Sequence, residues 1–185
     1  MDNSNQLKMT VYASLFAALI AAGAFMAIPI GPVPIVLQNM FVLLAGIILG
    51  PRWGLASVGV YLLMGALGFP VFAGGAGGLG RLFGPTGGYL LSYLPAVFIT
   101  GVVSQTLGKK THWDILAMAA GSMMIYAMGV PWLKMVTGMA WGKAVAVGMY
   151  PFIIGDLLKI TAGAFSAGII RPVIHTPALG KITTE

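Results

Sequence analysis

The chain has 185 residues, 58% of them hydrophobic and only 8% charged, and its mean hydropathy is +0.95. Soluble domains carry about 25% charged residues, so the composition is that of an all-α integral membrane protein forming one compact domain over residues 1–185. Ten basic and four acidic residues give +6, but no block of five like charges occurs, which argues against nucleic-acid binding; the absence of cysteine excludes disulfides and thiolate metal sites.

The polar start, residues 1–8, leads into an apolar run too long for a signal-peptide core and without a cleavage site, so it reads as a first membrane helix. Residues 9–51 contain no charge. Two spans fit there, 9–28 and 35–50, divided by the turn Pro29-Ile30-Gly31-Pro32-Val33-Pro34. The second is short and is expected to tilt or to lean on neighbours. Pro51-Arg52 makes a tight connection to a third span, 53–68.

Residues 68–88 hold nine glycines, two prolines, one arginine and no acid. Their apolar residues keep neither a helical nor a strand period, so the stretch is expected to be an irregular loop docked on the bundle. Backbone so close to lipid must be buried in protein or line a cavity, because unsatisfied amides there are costly. A fourth span, 87–107, follows, then a polar turn at 108–112, a fifth span at 115–133 and a mixed loop at 134–143. The sixth span, 144–170, contains Pro151 as its expected kink, and the tail 171–185 is polar enough to leave the membrane.

Six spans put both termini on one side. Lys8, Arg52, Lys109, Lys110, Arg171 and Lys181 fall on that side, and Arg81, Lys134 and Lys143 on the other. The positive-inside rule then places both termini in the cytoplasm and the glycine-rich loop outside. No repeat suggests the inverted halves of a secondary transporter.

Asp156 and Lys159 are the only charges inside an expected span, and their spacing of three puts them on one helix face. An isolated charge at mid-bilayer costs about 2.5–3.5 kcal/mol on insertion scales. Either the pair neutralises itself and packs the bundle, or this face meets a polar ligand or ion; the second reading is preferred, since intramembrane charges are usually functional. Gln38 and Asn39 are adjacent amides near the outer end of an apolar span. They point about 100° apart on a helix, so one of the two is expected to face inward, as a ligand contact or as an interhelical hydrogen bond.

Gly84-Pro85-Thr86-Gly87-Gly88-Tyr89 reads as a helix start whose free amides would favour an anion. Residues 75–80 also match GxGxxG, but no βαβ unit surrounds them and a dinucleotide site is rejected. Ala13, Ala17 and Ala21 are spaced by four, with Ser14, Ala18 and Ala22 beside them, a broad small-residue face suited to close helix contact inside the bundle or with a partner. No GxxxxGK[ST] loop is present, so the chain cannot power anything with ATP alone. His112 and His175 lie 63 residues apart with only Asp114 nearby, a poor metal or catalytic set, and no nucleophile–base set marks an enzyme. The many methionines suit irregular packing gaps, and Trp132, Trp141 and Tyr150 suit an interfacial belt.

Pro-x-Pro-x-x-x-Gln at 32–38, the loop closing with the motif at 84–89, and Gly155-Asp-x-x-Lys159 together resemble the biotin-specific substrate-binding component (BioY) of energy-coupling-factor (ECF) transporters. The resemblance covers about residues 9–170. It implies a six-transmembrane-helix bundle in a prokaryotic plasma membrane that captures biotin from outside, with a transmembrane coupling subunit and a pair of ATPases as partners and no cofactor. The family's AxxxA motif for the coupling subunit matches Ala13 and Ala17, with Ala21 one step further, and its head-group site carries over to Asp156 and Lys159. Many members have an asparagine in the glycine-rich loop. Residues 73–79 here read AGGAGGL, so that contact falls to Gln38, to Asn39 or to loop backbone at Gly74 and Gly75. Biotin presents two ureido N–H donors, a ureido oxygen, an apolar ring and a carboxylate. Asp156 can accept from N–H, Lys159 can donate to the oxygen, and the carboxylate can meet Arg81 or the amides around Thr86 and Gly87, beside Tyr89. The alternative is a self-sufficient proton-coupled secondary transporter or channel with Asp156 as its proton site.

Overall fold

The computed structural model describes residues 3–175, which are largely helical. In chain order the helices are α1 (Asn3–Phe25), α2 (Gln38–Ala66), α3 (Leu79–Phe83), α4 (Gly87–Leu107), α5 (Thr111–Thr137), α6 (Trp141–Gly148) and α7 (Tyr150–His175). A two-stranded antiparallel ribbon, β1 (Ala27–Ile28) with β2 (Ile35–Val36), brackets the proline-rich turn. Among the described residues, five stretches are long and apolar enough to cross a membrane: Asn3–Phe25, Gln38–Ala66, Gly87–Leu107, Thr111–Thr137 and Trp141–Pro172.

The second of these is not one straight rod. Gly50 has φ 80° and ψ 177°, a conformation open in practice only to glycine, and Pro51 follows it without an amide to donate. Gln38 Nε2 donates to the Tyr61 hydroxyl at 2.6 Å, although 23 residues separate them. A continuous helix would hold them about 35 Å apart. The chain therefore reverses at Gly50, and its arms, 38–49 and 51–66, lie side by side. Gly101 of α4 allows the corner to pack closely: a side-chain carbon there would stand 2.8 Å from Pro51 Cα.

The helical hairpin forms the centre of the bundle. It packs against α1 on one side and α4 on the other, and α4 packs against α5. Ile20, Val42, Val58, Val97, Met118 and Leu133 are fully buried in the single core that results. The outward faces of α1, α2 and α7 expose Leu15, Leu63, Ile154, Leu158 and Ile169, as lipid-facing helices do.

Several expectations are corrected. α1 ends at Phe25, and residues 27–28 are strand, because the ribbon takes over the backbone pairing before the prolines. The loop expected at 134–143 shrinks to 138–140: α5 runs on to Thr137, Gly138 caps it with φ 68°, and α6 starts at Trp141. The break expected at Pro151 falls at Met149 (φ −135°, ψ −55°), which leaves Pro151 in the first turn of α7, where its missing amide costs nothing. α7 continues through His175, past the expected end at residue 170. The tail with Lys181 and the His175 side chain lie outside the described residues.

The alanine ladder on α1 is corrected too. Ala13 and Ala17 are buried in the chain's own core and Ala21 is half-buried. Ala13 and Ala17 let α1 approach the hairpin closely. The neighbouring Ser14, Ala18 and Ala22 are exposed.

Candidate ligand-binding site

Two cavities stack at the end of the bundle opposite the Gly50 corner. The upper one, about 340 Å³, lies beneath the proline-rich turn, the glycine-rich stretch and the start of α4. That volume is within the usual range for small-molecule sites, roughly 300–1,000 Å³. The lower one, about 50 Å³, reaches Asn39, Tyr126, Phe152, Asp156 and Lys159. Val33, Pro34, Val36, Tyr89 and Tyr93 line both, so the two form one funnel with an aromatic neck.

The glycine-rich stretch is anchored near its start by the side chain of Phe72. Phe72 is buried, sits edge-on to Tyr61 with ring centroids 5.6 Å apart, and fills the space that Gly65 leaves on the second hairpin arm. The Gly78 amide donates to the Gly65 carbonyl at 2.7 Å. Tyr61 is the residue that Gln38 bonds, so hairpin, wall and loop are tied in one chain of contacts. At the other end of the loop Trp132 Nε1 donates to the Gly84 carbonyl at 2.9 Å. Trp132 is thus a strut from α5, while Trp141 and Tyr150 are exposed, the former beneath Lys134 Nζ at 5.2 Å.

At the floor, Asp156 and Lys159 form an ion pair of 3.0 Å, with only 8% and 10% of their side chains exposed. Asn39 Nδ2 donates to Asp156 Oδ1 at 2.8 Å, and Lys159 Nζ donates to Asn39 Oδ1 at 3.3 Å, which closes a three-residue ring. The Tyr126 hydroxyl makes a short hydrogen bond to Asp156 Oδ2, and Ser122 Oγ lies 3.5 Å from the same oxygen. The pair comes from α7, Asn39 from the first hairpin arm, and Ser122 and Tyr126 from α5. These donors satisfy a carboxylate that would otherwise be buried unpaired, and the site offers both an acceptor and a donor at the base of an apolar funnel.

Of the expected contacts, Gln38 and Asn39 both face inward, not one of the two: Gln38 lines the upper cavity and Asn39 the lower. Both fit because β2 and the start of α2 lie between the cavities. Arg81, Gly74 and Thr86 line the upper cavity, and Tyr89 lines both. Arg81 is exposed, and no carboxylate pairs with it among the described residues. Gly75 is not in the lining; it has φ 70° and faces Phe25. Gly87 stands apart as well, and its amide is not free, since it donates to the Gly84 carbonyl at 3.0 Å. The Tyr89 hydroxyl is likewise engaged, on the Gly148 carbonyl at 2.8 Å. Ser122 and Tyr126 were missed. Their signal was two hydroxyls at i and i+4 on a charge-free stretch of helix.

The family model that matches this chain, over residues 1–176, is that of the BioY family. A probable biotin transporter BioY of Pyrococcus horikoshii is 42% identical over 154 residues, covering 83% of this chain and 90% of that protein. The biotin transporter BioY of Thermotoga maritima is 39% identical over 161 residues, 87% of this chain and 94% of that one. A crystal structure of the S-component for biotin from an ECF-type ABC transporter superposes with a TM-score of 0.86 at 31% identity, covering 92% of this chain and 94% of that chain. The relatives match nearly end to end, and the fold agrees with a solved member. This chain belongs to the BioY family.

Proposed function

We propose that this chain binds biotin and is the substrate-capturing S component of an ECF-type uptake transporter. The observation that carries the reading is the Asn39–Asp156–Lys159 ring at the base of the funnel, in a chain whose relatives are biotin transporters. Asp156 accepts from a ureido N–H, Lys159 donates to the ureido oxygen, and Tyr89, Tyr93 and Phe152 enclose the apolar ring. The carboxylate lies in the upper cavity toward Arg81 and the Gly74 and Thr86 backbone.

We count the two arms of α2 as separate spans. That gives six, with both termini on one side, and the charge bias supports a cytoplasmic placement of that side and an outward-facing funnel. Both arms are short, about 18 and 24 Å at helical rise, which is consistent with a funnel floor well below the outer surface. The partners are a transmembrane coupling subunit and two ATPases, and α1 meets the former through its exposed face, Ser14, Ala18 and Ala22. A prokaryotic plasma membrane is the location that fits this assembly.

Titration calorimetry of the purified full chain in detergent, with biotin, tests the reading. Saturable one-to-one binding is expected, with desthiobiotin bound more weakly for want of the ring sulfur. No heat and no competition would sink it. The rival reading, a self-sufficient proton-coupled carrier, predicts biotin flux driven by a pH gradient in liposomes holding this chain alone. The proposed function predicts binding there without gradient-driven flux.

A further inference from the structure

Asp156 is fully subscribed. Its Oδ1 accepts from Asn39 at 2.8 Å and Lys159 at 3.0 Å, and its Oδ2 from the Tyr126 hydroxyl and, at 3.5 Å, Ser122. A carboxylate offers about four acceptor positions, so a ligand N–H reaches Asp156 only by displacing a donor already there. Ser122 is not in the lining of the funnel floor, whereas Tyr126, Asn39 and Lys159 are. Asn39 and Lys159 also bond each other, and displacing either one opens the ring at two points. Tyr126 is held by one bond through a hydroxyl that can turn.

A displaced Tyr126 hydroxyl needs an acceptor, because a ligand seated on the funnel floor shuts out water and an unpaired donor there is costly. An amide-like ligand edge supplies one beside the N–H that did the displacing. From this exchange, and resting on the biotin reading above, we infer that Tyr126 is a placeholder and a specificity residue. In the empty site it caps Asp156 Oδ2. When a cyclic urea enters, one ureido N–H takes Oδ2 and Tyr126 passes its hydrogen bond to the ureido oxygen, next to Lys159. One O–H···O bond is exchanged for one N–H···O and one O–H···O bond, and no proton moves. The funnel floor thereby reads N–H and C=O together.

The ratio of two affinities isolates the exchange, because the empty site cancels. The probes are biotin and its thiourea analogue, which has the same two N–H donors but a weaker acceptor. Calorimetry on the full-length protein in detergent should show wild type preferring biotin. Tyr126→Phe should narrow that preference about five- to tenfold, the worth of one net hydrogen bond, with less change in the biotin Kd itself. If Tyr126 only positions Asp156, both ligands weaken together and the ratio stays put, which overturns the inference. Site-specific 3-fluorotyrosine at position 126 preserves the packing and donates more strongly, so it should widen the ratio; an unchanged ratio there counts equally against the exchange. Failure of wild type to bind biotin at all would instead strike the biotin reading.

Discussion

Arg171, near the end of α7, grips Asp114 through two guanidinium nitrogens, at 2.6 and 2.7 Å, across 57 residues of sequence. Asp114 is fully buried, and Ser104 also donates to it, at 2.7 Å. The same guanidinium donates to the carbonyls of Ile47 and Lys109, each at 2.8 Å. One side chain therefore fastens α7, the hairpin near its corner, the end of α4 and the start of α5. α7 carries both polar clusters, this one and the funnel floor, 15 residues apart.

Breaking this clasp from one side strands a charge. Arg171→Met leaves Asp114 buried and unpaired, at a cost of about 3–5 kcal/mol. A lower melting temperature in detergent is expected, with much of the loss recovered in Asp114→Leu/Arg171→Met. Arg171→Lys should recover little, because an ammonium cannot fork across both carboxylate oxygens and the two carbonyls. A single variant melting like wild type would show that water relieves the stranded charge.

The two small-residue faces of α1 make opposite predictions. Ala13 is only 6% exposed, so Ala13→Trp overpacks the core and should lower stability and yield. Ala18 is exposed, so Ala18→Trp should fold and bind biotin as wild type does. If a coupling subunit docks on this face, the tryptophan holds the helices apart and co-purification should fail. Normal assembly by Ala18→Trp would place the docking surface elsewhere.

On the proposed function, Arg81 meets the ligand's acid. It is the sole charge in the glycine-rich stretch and it lines the upper cavity. Biotin amide should bind several-fold more weakly than biotin, and Arg81→Ala should erase the difference. The residue is exposed, so the effect should shrink at high salt. Equal weakening of acid and amide would mean that Arg81 shapes the loop and does not read the charge.

What was legible in the sequence follows from physical contrast. Asp156 and Lys159 stood out because charge in an apolar run is expensive, and the tight connection at Pro51-Arg52 because proline cannot continue a hydrogen-bonded helix. Asp114 and Arg171 did not stand out. Asp114 sits beside a polar turn and Arg171 at the start of the expected polar tail, where a charge ordinarily meets water, and nothing local announces a partner 57 residues away. Tyr126 was obscure because a tyrosine in a membrane helix is unremarkable until its hydroxyl is seen on a carboxylate. The ladder at Ala13 and Ala17 gave the right property, close approach, but small residues do not say which helix approaches. The 134–143 segment was misread because its two glycines and two lysines resemble a loop, while a αL cap at Gly138 lets one helix end and another begin within three residues.

The last prediction separates two roles for the floor pair. If Asp156 and Lys159 only neutralise each other, removing one strands a buried charge, whereas replacing both with apolar residues is tolerated. Asp156→Leu/Lys159→Met would then regain stability and keep its ligand. If the pair reads the ureido ring, the double variant should still melt no lower than either single one, but it should not bind. The ligand's N–H and carbonyl groups would be buried without partners, a loss that apolar packing cannot make up. Asn39 tempers the stability gain, since it bonds both members and is left facing two apolar side chains. Asp156→Asn is the graded case. Its amide oxygen still accepts, but its NH2 now opposes either Asn39 and Lys159 at the Oδ1 position or Tyr126 at the Oδ2 position, so binding should weaken by roughly one to two orders of magnitude, the scale of a lost charge-assisted bond of about 1.5–3 kcal/mol. Biotin bound by the double variant at near wild-type strength would defeat the ligand-reading role, and the head group would then have to sit in the upper cavity, against Gln38 and the loop backbone.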